Sequence, residues 1–121
     1  MGLYGFKKRF IPKIKAKTKH HTIRARRKNE DERGSLMHLY YGLRTKQCEL
    51  IGRVHCTKVE EVIVPDRETF FIEGNALTEY EKERLAIADG FENFAEMMEF
   101  WEGRFPFEGK MYHWDPKEIE S

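Results

Sequence analysis

Acidic residues are missing from the first 28 positions of this 121-residue chain, a stretch that holds 11 Lys or Arg. The remainder carries 11 basic against 21 acidic side chains, so the net charge of +1 conceals two unlike parts. With a near-neutral pI the whole chain would not coat nucleic acid indiscriminately, but its basic end creates a local potential that steers polyanions. Cysteine is scarce. Cys48 and Cys56 fall in a stretch that reads as extended, and eight residues of strand separate them by about 26 Å, beyond disulfide reach. They are expected to be reduced thiols. CxxC and HxxxH spacings are absent, so neither His55 nor the pair His20 and His21 forms a recognisable zinc set, and no metal or cofactor is expected. Long apolar runs are absent too, which excludes a membrane-spanning helix. The first residues lack the apolar core of a secretory signal, and the expectation is a cytoplasmic location.

Within the basic part, residues 6 to 24 read FKKRFIPKIKAKTKHHTIR, with eight basic side chains and no acidic one. A solvated tail would not carry Phe6, Phe10, Ile11, Ile14 and Ile23 at this density. Phe6, Phe10 and Ile14 recur at the i, i+4 spacing of one helical face. Pro12 suits the first turn of a short helix ending near Ala16. Lys17 to Lys19 then form a turn, and Thr22 to Arg24 start a strand with Thr22 and Arg24 on one face and Ile23 toward the core.

Residues 27 to 35 read as a polar loop, with Gly34 and Ser35 as turn signals. LMHLYYGL and QCELIGRVHCTKVEEVIV follow as strand candidates, the second interrupted at Gly52 where a long strand would bend. Thr69 to Glu73 is a further short strand candidate before a turn at Gly74 and Asn75. Thr78 and Glu81 form a capping box. The helix behind it takes apolar surface from Tyr80, Leu85, Ile87 and Ala88 and stops at Gly90. A second helix over roughly residues 93 to 101 places Phe94, Met97, Met98 and Trp101 three to four apart, a core pattern. Lys110 to Trp114 reads as a closing strand. Residues 1 to 121 thus predict a single α+β domain, a small barrel capped by helices.

Phe6, Arg9, Phe10, Ile14, Lys19, Thr22, Ile23 and Arg24, followed by the Gly34 turn, form a pattern that resembles the ASCH (activating signal cointegrator homology) domain. LTEYEKERLAIADGF and PFEGKMYHW resemble its later helical and closing segments. The resemblance implies a PUA-like β-barrel of about five to six mostly antiparallel strands, a short N-terminal helix and a C-terminal helical pair. Within the family the N-terminal segment is similar to that of small N(4)-acetylcytidine amidohydrolases, which use a Lys, a Thr three residues on, and a carboxylate from a later helix.

That similarity implies catalytic roles for Lys19, Thr22 and Asp89 and a ligand-site role for Arg24, and Lys17 and Arg26 are further candidate ligand-binding residues. Lys17 stands where those enzymes place a turn glycine, and a left-handed backbone there would cost about 1 kcal/mol. Asp89 replaces a Glu one methylene longer. Thr22 would attack an amide carbonyl, Lys19 would accept and return its proton, and Arg24 would stabilise developing charge. Burial and the like charges of Lys17, Arg24 and Arg26 would lower the Lys19 pKa, while a helix C-terminus would raise that of Asp89.

A different reading is a non-catalytic module for RNA or a modified nucleotide. Lys13, Lys15, Lys17, Arg26 and Arg27 would contact phosphates, and Tyr40, Tyr41 or Trp114 would stack on a base. A protein-interaction domain with a degenerate pocket is a third. The partner is accordingly RNA, a nucleoside or a nucleotide, and no membrane.

Overall fold

A computed structural model describes residues 2 to 28 and 30 to 119. Seven strands and three α-helices run in the order β1 (Gly2–Phe6), α1 (Ile11–Lys15), β2 (His21–Ala25), β3 (Leu36–Tyr41), β4 (Glu49–Val64), β5 (Phe71–Ile72), β6 (Asn75–Ala76), α2 (Glu79–Ala88), α3 (Phe94–Phe100) and β7 (Phe107–Trp114). One turn of 3-10 helix, Lys8–Phe10, leads into α1, and another, Pro116–Glu118, follows β7. Among the described residues, no helix is long and apolar enough to cross a membrane.

The strands make one curled mixed sheet, a half-barrel in an α+β fold. Its main path is β1-β3-β4-β7-β2, with β5 and β6 forming a short hairpin on the other side of β4. The 16-residue strand β4 serves two halves: Glu49 to His55 pair with β3, and Cys56 to Val64 pair with β7. It bends where the register slips, opposite Leu39/Tyr40 and again between Cys56 and Lys58. Gly52 lies beside the first slip and also admits Ile119, whose Cδ1 would sit 3.1 Å from a Cβ there.

Strands β1 and β2 are the ends of the path, and side chains join them. Arg24 Nη2 donates to Gly5 O at 2.9 Å and Arg27 Nη2 donates to Leu3 O at 3.2 Å. These charged donors satisfy carbonyls that a backbone ladder would otherwise take.

Strand β1 departs from the sequence expectation, which put Phe6 on a helix with Phe10 and Ile14. Tyr4 and Phe6 alternate as buried residues between Gly2, Leu3 and Gly5, the period of a strand. Gly5 and exposed Leu3 take the outward positions, so no polar residue marks the alternation in the sequence. Phe6, Phe10 and Ile14 still share the core. Strand β1 also runs parallel to β3, whereas the other pairings among the described residues are antiparallel as expected, and the sheet has seven strands where five to six were expected.

The capping box at α2 forms as its sequence predicts, with Thr78 Oγ1 accepting from Glu81 N and Glu81 Oε1 accepting from Thr78 N. Tyr80 and Ile87, expected to supply apolar surface, face solvent. Leu85 and Ala86 do the packing instead. Helix α3 buries Phe94, Met97 and Met98 and is followed by buried Trp101, against Phe70 of the loop before β5. Glu83 of α2 accepts from Phe94 N at 2.8 Å and fixes the two helices end to end. Together they hold the residues after α2 against the β1–β2 seam.

Candidate functional site

The turn from α1 into β2 is built around one carbonyl. Lys13 O accepts from Thr18 N, Thr18 Oγ1 and Lys19 N, so the chain reverses tightly. That reversal puts Lys17 in the left-handed region, φ +65°, as expected for a residue standing at a glycine position. His20 N then donates to Ala88 O while His20 O accepts from Trp114 N, which ties the start of β2 to the end of α2 and to β7.

Asp89 is the C-cap of α2, and Gly90 follows with φ +102°. The left-handed residue lets Phe91 N reach Ala86 O and closes the helix. A Cβ at position 90 would lie 3.0 Å from the Phe10 ring and 3.5 Å from Lys19 Cδ. Glycine therefore answers both the backbone turn and the close approach of α1.

These two turns bring Lys19 and Asp89 together out of water, at 2% and 5% exposure. Lys19 Nζ donates to Asp89 Oδ1 at 3.1 Å and also to the Asp89 backbone carbonyl. Its charge lies 4.9 Å from the centre of the Phe10 ring and 5.6 Å from that of Phe6. On the same carboxylate oxygen, His21 Nδ1 approaches to 2.9 Å. An ionised carboxylate only accepts, so Nδ1 carries the proton in this contact. The His21 ring meets the edge of His113 at 5.2 Å, and His113 Nε2 contacts Glu60 Oε1 at 2.7 Å.

Burial lowers the Lys19 pKa and outweighs the attraction of Asp89, with Arg24 adding a smaller push in the same direction. Lys17 and Arg26 are not among the causes. At Asp89 burial acts upward, but Lys19 and His21 together outweigh it and hold the carboxyl below the ordinary carboxylate range. The upward shift expected from the helix C-terminus is thus reversed, because two hydrogen-bonded donors lie closer to the charge than the last helical carbonyls do.

Thr22 and Arg24 occupy the other face of β2. Arg24 Nε donates to Thr22 Oγ1 at 3.0 Å, and the guanidinium lies 4.8 Å over the Phe6 ring. Burial, followed by the nearby charge of Arg27, pushes Arg24 down to about 10, which leaves it a cation at neutral pH. A donor fixed on the hydroxyl oxygen makes the Thr22 proton easier to lose.

The four side chains line one pocket of about 150 Å³ at the β1–β2 seam. Phe6, Phe10, Phe91, Phe100 and Trp101 form its apolar walls, and exposed Lys7 and Arg104 stand at its edge. No family model, no curated protein and no solved structure matches the chain.

Lys19, Thr22, Arg24 and Asp89 are brought together here; Lys17 and Arg26 are not. Lys17 is exposed on its turn, and Arg26 pairs outside with Glu61 at 2.8 Å and Glu108 at 3.3 Å. Of the aromatic residues expected to stack on a base, Trp114 is buried against Phe6 and neither Tyr40 nor Tyr41 lines the pocket. Sequence reasoning assigned His21 no contact with Asp89. Strand alternation points His21 away from Thr22, and only the position of Asp89 at the start of β2 lets it share one carboxylate oxygen with Lys19. Phe100, Trp101 and Arg104 carry no signal in the sequence that separates them from ordinary core and surface residues.

Proposed function

We propose that this protein is an ASCH-like, PUA-like barrel that removes an acyl group from the exocyclic amine of a modified cytidine-like base. The observation that supports this reading is the meeting of Lys19, Thr22 and Arg24 with Asp89, 70 positions from Lys19, in one aromatic-walled pocket. At about 150 Å³ the pocket is smaller than the roughly 300–1,000 Å³ typical of drug-sized ligands and suits a single planar group.

In this reading the Thr22 oxygen attacks the amide carbonyl, and its proton passes to Lys19, whose pKa burial lowers. Arg24 Nε steadies the oxygen as it loses the proton. The amide C–N bond breaks as Lys19 returns the proton to the departing amine. Water then cleaves the acyl-threonine to release a carboxylic acid. Asp89, fixed by His21, orients Lys19 throughout.

A second reading, binding of a modified nucleotide or RNA without chemistry, is favoured by one observation: Lys19 Nζ is engaged by Asp89 and makes no hydrogen bond to Thr22. Incubation with N(4)-acetylcytidine, following cytidine release, decides between them. The amidohydrolase reading expects turnover that falls at least about 100-fold in Lys19→Ala and in Thr22→Ala. Absence of turnover in the parent protein sinks it, and full activity in Thr22→Ala removes the nucleophile.

A further inference from the structure

Charge at the pocket is unbalanced. Its lining contains four cations, Lys7, Lys19, Arg24 and Arg104, against the single carboxylate of Asp89. That carboxylate is already bonded to Lys19 and His21. Among the described residues, Lys7, Arg24 and Arg104 have no carboxylate within ion-pair distance, although Arg24 is largely buried.

Some nearby basic residues are paired with carboxylates, whereas Lys8, Lys15, Lys17 and Arg27 have no such ion pair among the described residues. Arg9 pairs with Glu96 at 2.6 Å, Lys13 with Glu92 at 3.3 Å and Arg26 with Glu61. Lys7 and Arg104 instead rest against one aromatic ring, each with its charge 5.3 Å from the Phe100 centroid. The ring holds both cations beside the pocket without neutralising them, since a cation–π contact leaves the net charge in place. Arg104 is near enough to add to the downward push on Arg24. Three cations gathered on one small pocket repel one another, and an anion entering it relieves that repulsion.

We infer that the pocket's ligand carries a phosphate group beside its planar base, with Lys7 and Arg104 as the phosphate contacts. A planar ring fits between the aromatic walls, and a dianionic phosphate at the edge meets an ammonium and a forked guanidinium, the donor types suited to it. The expected ligand is a mononucleotide in preference to the corresponding nucleoside. This inference rests on the pocket being the base site proposed above.

The test measures binding to the full chain, by calorimetry at low salt, for four probes: cytidine, cytidine 5′-monophosphate, inorganic phosphate and a five-nucleotide single-stranded RNA. The monophosphate is expected to bind at least about tenfold more tightly than cytidine, the gain of one charge-assisted contact pair. Arg104→Gln combined with Lys7→Gln should reduce that ratio below about threefold. Lys46→Gln, an exposed lysine outside the pocket, should leave the ratio intact.

Equal binding of nucleoside and monophosphate overturns the inference, as does a ratio that survives the double substitution. Inorganic phosphate binding as tightly as the monophosphate overturns the base component. RNA binding tighter than the monophosphate and insensitive to the double substitution overturns it in favour of the outer lysines. Failure of the catalytic reading looks different: the monophosphate preference and its loss in the variant persist while no acyl group is released from N(4)-acetylcytidine or its monophosphate.

Discussion

Lys19 and Asp89 are 70 positions apart in the chain and meet as a buried ion pair, Nζ to Oδ1 at 3.1 Å. The pair joins the turn after α1 to the cap of α2, so one contact fixes the pocket floor and the docking of the helical layer. Desolvation makes such pairs costly to form and costlier to break, since removing one partner strands the other charge.

Asp89→Ala is therefore expected to lower stability by about 3–5 kcal/mol, and Lys19→Met with Asp89→Leu by far less than the two single changes summed. Urea unfolding of the two singles and the double measures this. Additive costs would show that the two groups act independently.

The same pair sets an acid limit. The folded-state pKa of Asp89 lies below its unfolded value, so the unfolded chain binds more protons as pH falls. The stability contributed by Asp89 is complete above the unfolded value of about 3.9 and is lost as pH drops through the folded one. Asp89→Asn should flatten the stability profile below about pH 4. His113 acts in a separate window. Burial, then His21, depresses it against the pull of Glu60. Protonating it therefore costs stability as pH falls below about 6.5, and His113→Gln should remove that slope.

His21 is a positioning residue, acting through Asp89. His21→Ala should lower kcat for acyl release about tenfold with little change in KM, because the ligand's walls stay in place. His21→Asn, which retains a donor at a similar position, should recover most of the loss. A change confined to KM would show that His21 shapes binding and not the orientation of Lys19.

Lys17→Gly relieves a left-handed residue at an exposed turn and is expected to stabilise the fold by up to about 1 kcal/mol. Chemical denaturation reads the gain. Turnover should be unaltered, as Lys17 stands outside the pocket wall.

Much of the layout was legible in local patterns. Thr78 with Glu81 marked the start of α2, the spacing of Phe94, Met97, Met98 and Trp101 marked the packing face of α3, and the Gly52 interruption marked a bend in β4. These signals work because capping and periodicity act over a few residues. Strand β1 was misread, since Phe6 at its end also stands four residues from Phe10 and so continues a helical stripe with Ile14. Arg26 looked like a pocket residue from its nearness to Arg24, and one further step along β2 instead takes it to Glu61 and Glu108.

By itself the sequence determined which groups were available: a lysine, a threonine and an arginine spaced around the start of one strand, a capped helix ending in Asp89 and Gly90, and a first segment free of acid. Tertiary structure alone decided which of the basic residues keep an unopposed charge, which aromatic rings enclose them, and that His21 shares a carboxylate with Lys19. Ion pairing and burial depend on distances between elements far apart in the chain. Those distances are set by how β1 and β2 meet across the seam and how α2 docks over it, and neither is written in any local spacing.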